Sequence, residues 1–181
     1  MLDQIESLAA RVAPGEARWT LRAVDERAET LSVRQDVAEA PQRSHDAGVM
    51  VSVSRHGGLG HAATADLSEA GLADAFARAQ RMAEAVAGRM VFDPDGLPAA
   101  DARGRFDGAV QRPVRSVPLH ERLELLRSVC ASAHPDTRIV DWHASLMSVE
   151  VSQLLLTSEG GRTEQHWHVT MPQVQASAHV A

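Results

Sequence analysis

Leu2, Ile5, Ala9 and Val12 recur at the spacing of one helix face, and Pro14-Gly15 ends the pattern. A short amphipathic helix over residues 2–12 follows. The period then changes from helical to alternating. Trp19, Leu21 and Ala23 alternate with Thr20 and Arg22, Leu31 and Val33 with polar neighbours, and Val49, Val51 and Val53 with Met50, Ser52 and Ser54. Such alternation predicts antiparallel strands with one buried face. The third strand runs into Arg55-His56-Gly57-Gly58 and resumes over Leu59 to Thr64. A tight hairpin with positive φ in its turn is the expected arrangement.

A second helix is expected over 66–88. Asp66 and Glu69 have capping-box spacing, Leu72, Phe76, Ala79, Ala83 and Val86 form one stripe, and Gly88 closes it. Residues 93–117 are rich in Pro, Gly and Asp and read as a surface connection. Pro118 opens a third helix to residue 134, with Leu119, Leu123, Leu126 and Val129 on one face. Strands return over 139–156, broken near Trp142 or Ser148, and over 163–171 across the turn Ser158-Glu159-Gly160-Gly161. The fold class is therefore α+β: mainly antiparallel sheet covered by the two longer helices, because half-apolar strands need a cover. The expected organisation is a first α+β half over 1–92, a linker over 93–117 and a second half over 118–181. The two halves loosely repeat helix, strand, strand, strand. Because alternation continues through Val174 to the last residues, the chain is expected to be cut before a further domain.

Composition narrows the function classes. The 181 residues carry a net charge of −6, and all 18 basic residues are Arg mixed among acidic ones. No basic face for phosphate or anionic lipid is expected, so nucleic acid and membrane are not expected partners. Cys130 is the single cysteine, which precludes an intrachain disulfide and makes the cytoplasm the default compartment. It reads as a small buried hydrophobe near a helix end rather than a nucleophile.

Few residues have the chemistry of a catalytic motif. His166 and His168 lie two apart on an expected strand and are weak metal candidates; a solvent-facing role is expected, with Trp167, Val169 and Met171 on the core side. His56 and His61 flank the Gly57-Gly58 turn and are expected near each other across the hairpin, as ordinary turn-flanking polar residues. The Gly-rich run Gly57, Gly58, Gly60 joins two strands, whereas a phosphate cradle leads to a helix N-terminus.

The run from Gly48 through Gly60 to Ser68, followed by an alanine-rich helix, resembles the segment "G-v-R-v-…-d-G-…-G-f-a-s-T-…-l" of the TldD/PmbA family, named for modulation of DNA gyrase. Ser158, Glu159 and Gly160 resemble that family's "n-S-e-G" turn. Met50 stands where Arg is frequent and His61 where an aromatic is usual. The resemblance implies the N-terminal, non-catalytic part of a zinc-dependent peptidase. Its zinc ligands would come from a His-Glu-x-x-x-His helix and a later Cys outside this chain, so no catalytic or metal-binding residue carries over. It also implies a peptide or unfolded protein as substrate, and assembly with the same or a related subunit, one type of which lacks the zinc motif. The alternative is a free-standing interaction module of the same ancestry that binds its partner through a sheet edge.

Overall fold

The computed structural model describes residues 2–98 and 100–179. In chain order the elements are α1 (Leu2–Val12), β1 (Arg18–Arg34), β2 (Val37–Ala38), β3 (Gln42–Arg55), β4 (Gly58–Thr64), α2 (Glu69–Val86), β5 (Arg103–Asp107), α3 (Leu119–Ser132), β6 (Ile139–Thr157) and β7 (Arg162–Ala178). The chain is α+β. The strands are hydrogen-bonded in the order β4-β3-β1-β6-β7-β5, with β2 on β1. Where the register is defined, β1–β2 and β3–β4 are antiparallel and β5–β7 is parallel.

Two compact units divide the chain, and β1, β3, β6 and β7 contribute residues to both. The first comprises residues 1–25, 46–107 and 152–166. Its core joins Ile5, Leu8 and Ala9 of α1 to alternate residues of three strands: Leu21 and Ala23, Val49, Val51 and Val53, and Leu154 and Leu156. Leu72, Ala75, Phe76 and Ala79 of α2 complete it, and Trp19 meets Phe76 edge-on at 5.6 Å. The second unit comprises residues 26–45, 108–151 and 167–181. Its core is smaller: Leu31, Val33, Leu126, Cys130 and Ala144.

Local chemistry departs from the sequence pattern at several points. The N-cap of α2 is Ser68, whose Oγ accepts from the Gly71 amide at 3.1 Å. Asp66 instead accepts from the Ser68 amide at 3.0 Å, fixing the cap residue rather than acting as the cap. On α3 the expected stripe faces the core, with Leu126 buried and Leu119, Leu123 and Val129 packed against the cluster; Arg122 and Cys130 are buried beside it. Arg122 reaches buried Glu29, whose carboxylate also takes Arg43 at 2.7 Å. No break occurs in β6 near Trp142 or Ser148; the Ser148 hydroxyl donates to the Glu29 carbonyl at 3.4 Å, so the polar residue is satisfied inside the strand. Residues 93–117 include β5 and two short 3-10 turns, Pro94–Gly96 and Val114–Ser116.

Candidate functional site

The two turns singled out in the sequence lie beside one cleft of the first unit. At the β3–β4 hairpin His56 and Gly57 have φ of 53° and 72°, as a two-residue primed turn requires. Gly58 and Gly60 serve a different purpose: α2 lies directly against β4. A Cβ on Gly58 would meet the Ala83 carbonyl at 2.0 Å, and one on Gly60 the Ala79 carbonyl at 2.0 Å. At the β6–β7 turn Gly160 has φ of 85°, and a Cβ on Gly161 would meet the Ala100 carbonyl at 2.2 Å.

Residues 93–98 and Ala100 cross both turns and are tied to each. Asp95 accepts the Ser54 hydroxyl and the Gly57 amide, the latter at 2.7 Å, and Asp93 accepts the Asp95 amide at 3.0 Å. The hydrogen bond from Ser54 and then that from Gly57 hold the Asp95 carboxyl below the usual range. Arg18 donates to the carbonyls of Leu97, at 2.6 Å, and Pro98, and pairs with Glu159 at 2.5 Å. Thr157 donates to the Ala100 carbonyl at 2.6 Å and accepts from the Gly161 amide at 2.9 Å. Ser158 is joined to Trp19 twice, its Oγ accepting from the Trp19 amide at 3.1 Å and its own amide donating to the Trp19 carbonyl at 2.9 Å. Between these ties lies a cleft of about 240 Å³ whose walls include Trp19, Leu59, Pro94 and Leu97.

The histidines are distributed differently from the sequence expectation. His61 stands opposite Ser52 in the ladder, with its Nδ1 2.8 Å from the Ser52 hydroxyl, whereas His56 is a turn residue; the pair does not face across the hairpin. His166 is half-buried, with Nδ1 2.9 Å from Ser152 Oγ and Nε2 2.6 Å from Glu164. His168 lies 3.7 Å from Glu150. Trp167 is only half-buried, and Val169 and Met171 are exposed at 39% and 45%, so the expected core side of β7 is not core. Cys130 is buried, its Sγ 3.3 Å from the Val33 carbonyl. Among the described residues, no three His, Cys, Asp or Glu side chains form a group that could hold a metal ion. No helix there is long and apolar enough to cross a membrane.

Residues 19–83 match the family model described as PmbA/TldA metallopeptidase domain 1. The match takes in the hairpin glycines and most of α2; the Ser158-Glu159-Gly160 turn, His166 and His168 lie beyond it.

Solved structures share the fold across the chain. A candidate modulator of DNA gyrase from Thermotoga maritima superposes with a TM-score of 0.71 at 14% identity, over 100% of this chain and 41% of that one. A second such candidate, from Bacteroides thetaiotaomicron, gives 0.67 at 18% identity, over 98% and 40%. TldE from Thermococcus kodakarensis gives 0.56 at 13% identity, over 96% and 39%. The chain thus spans about two fifths of the length of the solved structures it matches. No curated protein matches it.

Proposed function

We propose that this chain is the N-terminal, non-catalytic part of a TldD/PmbA-like metallopeptidase, and that it positions an extended peptide and contributes to a subunit interface. The first-domain match over residues 19–83 carries this reading. The relatives' greater length leaves room for a catalytic domain beyond the region matched here. Zinc and its His-Glu-x-x-x-His helix are assigned to the rest of a longer protein, since among the described residues no three His, Cys, Asp or Glu side chains group as a metal site, and no step of the zinc chemistry runs through this chain. The single cysteine supports a cytoplasmic setting.

The peptide is assigned to the free edge of β5. This strand is terminal in the sheet order, pairs on one side only, and all five of its residues are exposed. An extended chain laid along it would gain main-chain hydrogen bonds, and alternate side chains would contact Arg105 or Phe106. Holding a flexible substrate in register lowers the entropic part of a remote hydrolytic barrier. The same edge property allows pairing with the same or a related subunit.

The test uses the longer protein carrying this chain. Arg103→Pro and Arg105→Pro, made separately, each remove a β5 amide that faces away from β7 and hinder strand addition. Hydrolysis of long unfolded peptides should fall at least about tenfold in one of them while zinc content is unchanged. If both variants keep their zinc and cleave long peptides at the parental rate, β5 does not position substrate, and the interaction-module reading takes its place.

A further inference from the structure

Ser152, His166 and Glu164 form a hydrogen-bonded line that the peptide-positioning role does not use. Ser152 Oγ lies 2.9 Å from His166 Nδ1, and His166 Nε2 lies 2.6 Å from Glu164 Oε1. Ser152 comes from β6 and the other two from β7, and all three belong to the first unit. The β6–β7 turn folds these strands back on each other, so residues separated by 14 positions meet.

Chemistry fixes where the protons sit. An ionised carboxylate accepts hydrogen bonds and donates none. Glu164 is ionised: the hydrogen bond from His166, then that from Arg162, hold its carboxyl below the usual range. The proton on the ring is therefore on Nε2, facing Glu164, and in the neutral imidazole the Nδ1 lone pair faces the Ser152 hydroxyl. This is the productive tautomer for a nucleophile, a base and an orienting acid. The side chains of His166 and Glu164 are 26% and 13% exposed, so the line is shielded yet reachable. The molecule contains its own contrast. Ser52 and His61 are as close, at 2.8 Å, but among the described residues no carboxylate bonds the other nitrogen of His61.

We propose that Ser152, His166 and Glu164 form a nucleophilic acyl-transfer site, separate from any zinc-dependent hydrolysis, that accepts activated acyl donors such as thioesters and aryl esters. Ser152 Oγ attacks the carbonyl carbon while its proton passes to His166 Nδ1. The tetrahedral adduct collapses with cleavage of the bond to the leaving group, which departs with that proton as a thiol or phenol. Water then gives a proton to Nδ1 and attacks the acyl-serine; cleavage of the ester bond releases the carboxylic acid, and the proton returns to Ser152. Glu164 acts as a positioning residue that stays ionised and stabilises the imidazolium. The neighbouring cations Arg105 and Arg162 are engaged on Glu164 at 3.3 and 3.2 Å. Stabilising the oxyanion therefore falls to the substrate, which confines the site to acyl groups with good leaving groups.

The full chain is treated with p-nitrophenyl acetate, and separately with a fluorophosphonate, and the adducts are located by peptide mass spectrometry. Ser152 should be modified at least about tenfold faster than Ser52 in the same molecule, with a burst of about one p-nitrophenol per chain. His166→Gln should slow acylation about 100-fold. Glu164→Gln should slow it at least about tenfold, and Glu164→Asp should restore part of the rate. Circular dichroism establishes that each variant is folded. The proposal is overturned if the folded chain shows no Ser152 adduct, if Ser52 reacts as fast, or if folded His166→Gln is acylated at the unchanged rate. Because the comparison of Ser152 with Ser52 is made in the unaltered chain, it decides the matter even where a variant fails to fold.

Discussion

Replacing Gly60 by Ala adds one methyl group and should be among the most damaging small changes in the first unit. An ideal Cβ there would sit 2.0 Å from the Ala79 carbonyl oxygen, 2.6 Å from the Ala83 amide nitrogen and 2.9 Å from Met82 Cβ. Two of these obstacles are helix backbone, so no rotamer change relieves them. Opening the closest contact to 3.0 Å requires α2 and β4 to separate by about 1 Å. A gap of about 1 Å forfeits up to half of the dispersion energy across the contact and is too thin to admit water. The residues that lose contact, Leu72, Ala75, Phe76, Ala79 and Ala83, are all at most 2% exposed. Overpacking usually costs about 1–3 kcal/mol, and a backbone obstacle places this case at the upper end, about 3 kcal/mol. For a chain of this size that lowers the unfolding midpoint by about 6–12 °C. The measurement is thermal and urea unfolding followed by circular dichroism, with Gly104→Ala as the control, since a Cβ at Gly104 meets nothing within 4 Å. The control should stay within about 0.5 kcal/mol of the parent. Ala79→Gly should not rescue Gly60→Ala, because the obstacle is a carbonyl. If Gly60→Ala is as stable as Gly104→Ala, the close approach of α2 to β4 is wrong.

Four further outcomes follow from the same geometry. Gly57→Val places a β-branched residue at φ of 72° and should cost about 1–3 kcal/mol in urea unfolding, through strain rather than contact. Arg122→Ala leaves the buried Glu29 carboxylate with Arg43 alone and should cost about 3–5 kcal/mol, whereas Glu29→Gln with Arg122→Met should recover much of that loss. Burial alone would raise the Glu29 carboxyl, but hydrogen bonds from Arg122 and Arg43 outweigh it and hold it below 4.5. A depressed carboxyl stabilises the fold above its unfolded value and loses that stabilisation as pH falls through the folded one. Parental stability should therefore fall more steeply below about pH 4.5 than that of Glu29→Gln, and equal slopes in acid titrations would refute this. Cys130, at 0% exposure, should react with a thiol reagent only as fast as the chain unfolds; an immediate stoichiometric reaction of the folded protein would contradict its burial.

Helix periodicity made α1, α2 and the region of α3 legible, and alternation made the apolar parts of β1, β3 and β4 legible, because burial on one face writes itself into the residue order. Strand continuity left no such mark. Glu29 interrupts the alternation of β1 and Ser148 that of β6, yet both strands run on, since Glu29 finds two arginines and Ser148 a carbonyl. Nor could β5 be seen: with all five residues exposed it has no apolar face, and its existence depends on a parallel partner more than fifty residues away. The helix cap moved two residues for a related reason, because Asp66, Ser68 and Glu69 all have capping chemistry and only the backbone path chooses among them.

The glycine run shows how one letter can stand for unlike requirements. Gly57 is needed for its backbone angle, whereas Gly58 and Gly60 are needed because a helix backbone occupies the space of a side chain. The sequence suggests the first requirement, since a turn is local, but the second depends on which element comes back to cover the hairpin. The same distinction separates the histidines. His56 and His61 flank a local turn and were expected to meet, yet the ladder places Ser52 opposite His61. His166 and His168 drew attention for their spacing of two, but the partners of His166 are Glu164 on its own strand and Ser152 on β6. A motif search compares positions along the chain, whereas the hydrogen-bonded line is set by how β6 and β7 are paired. Its component serine, glutamate and histidine are individually unremarkable in sequence, and their alignment depends on where the turn over residues 158–161 reverses the chain. Lengthening that turn by one residue should therefore part Ser152 from His166 while leaving every residue of the line in place.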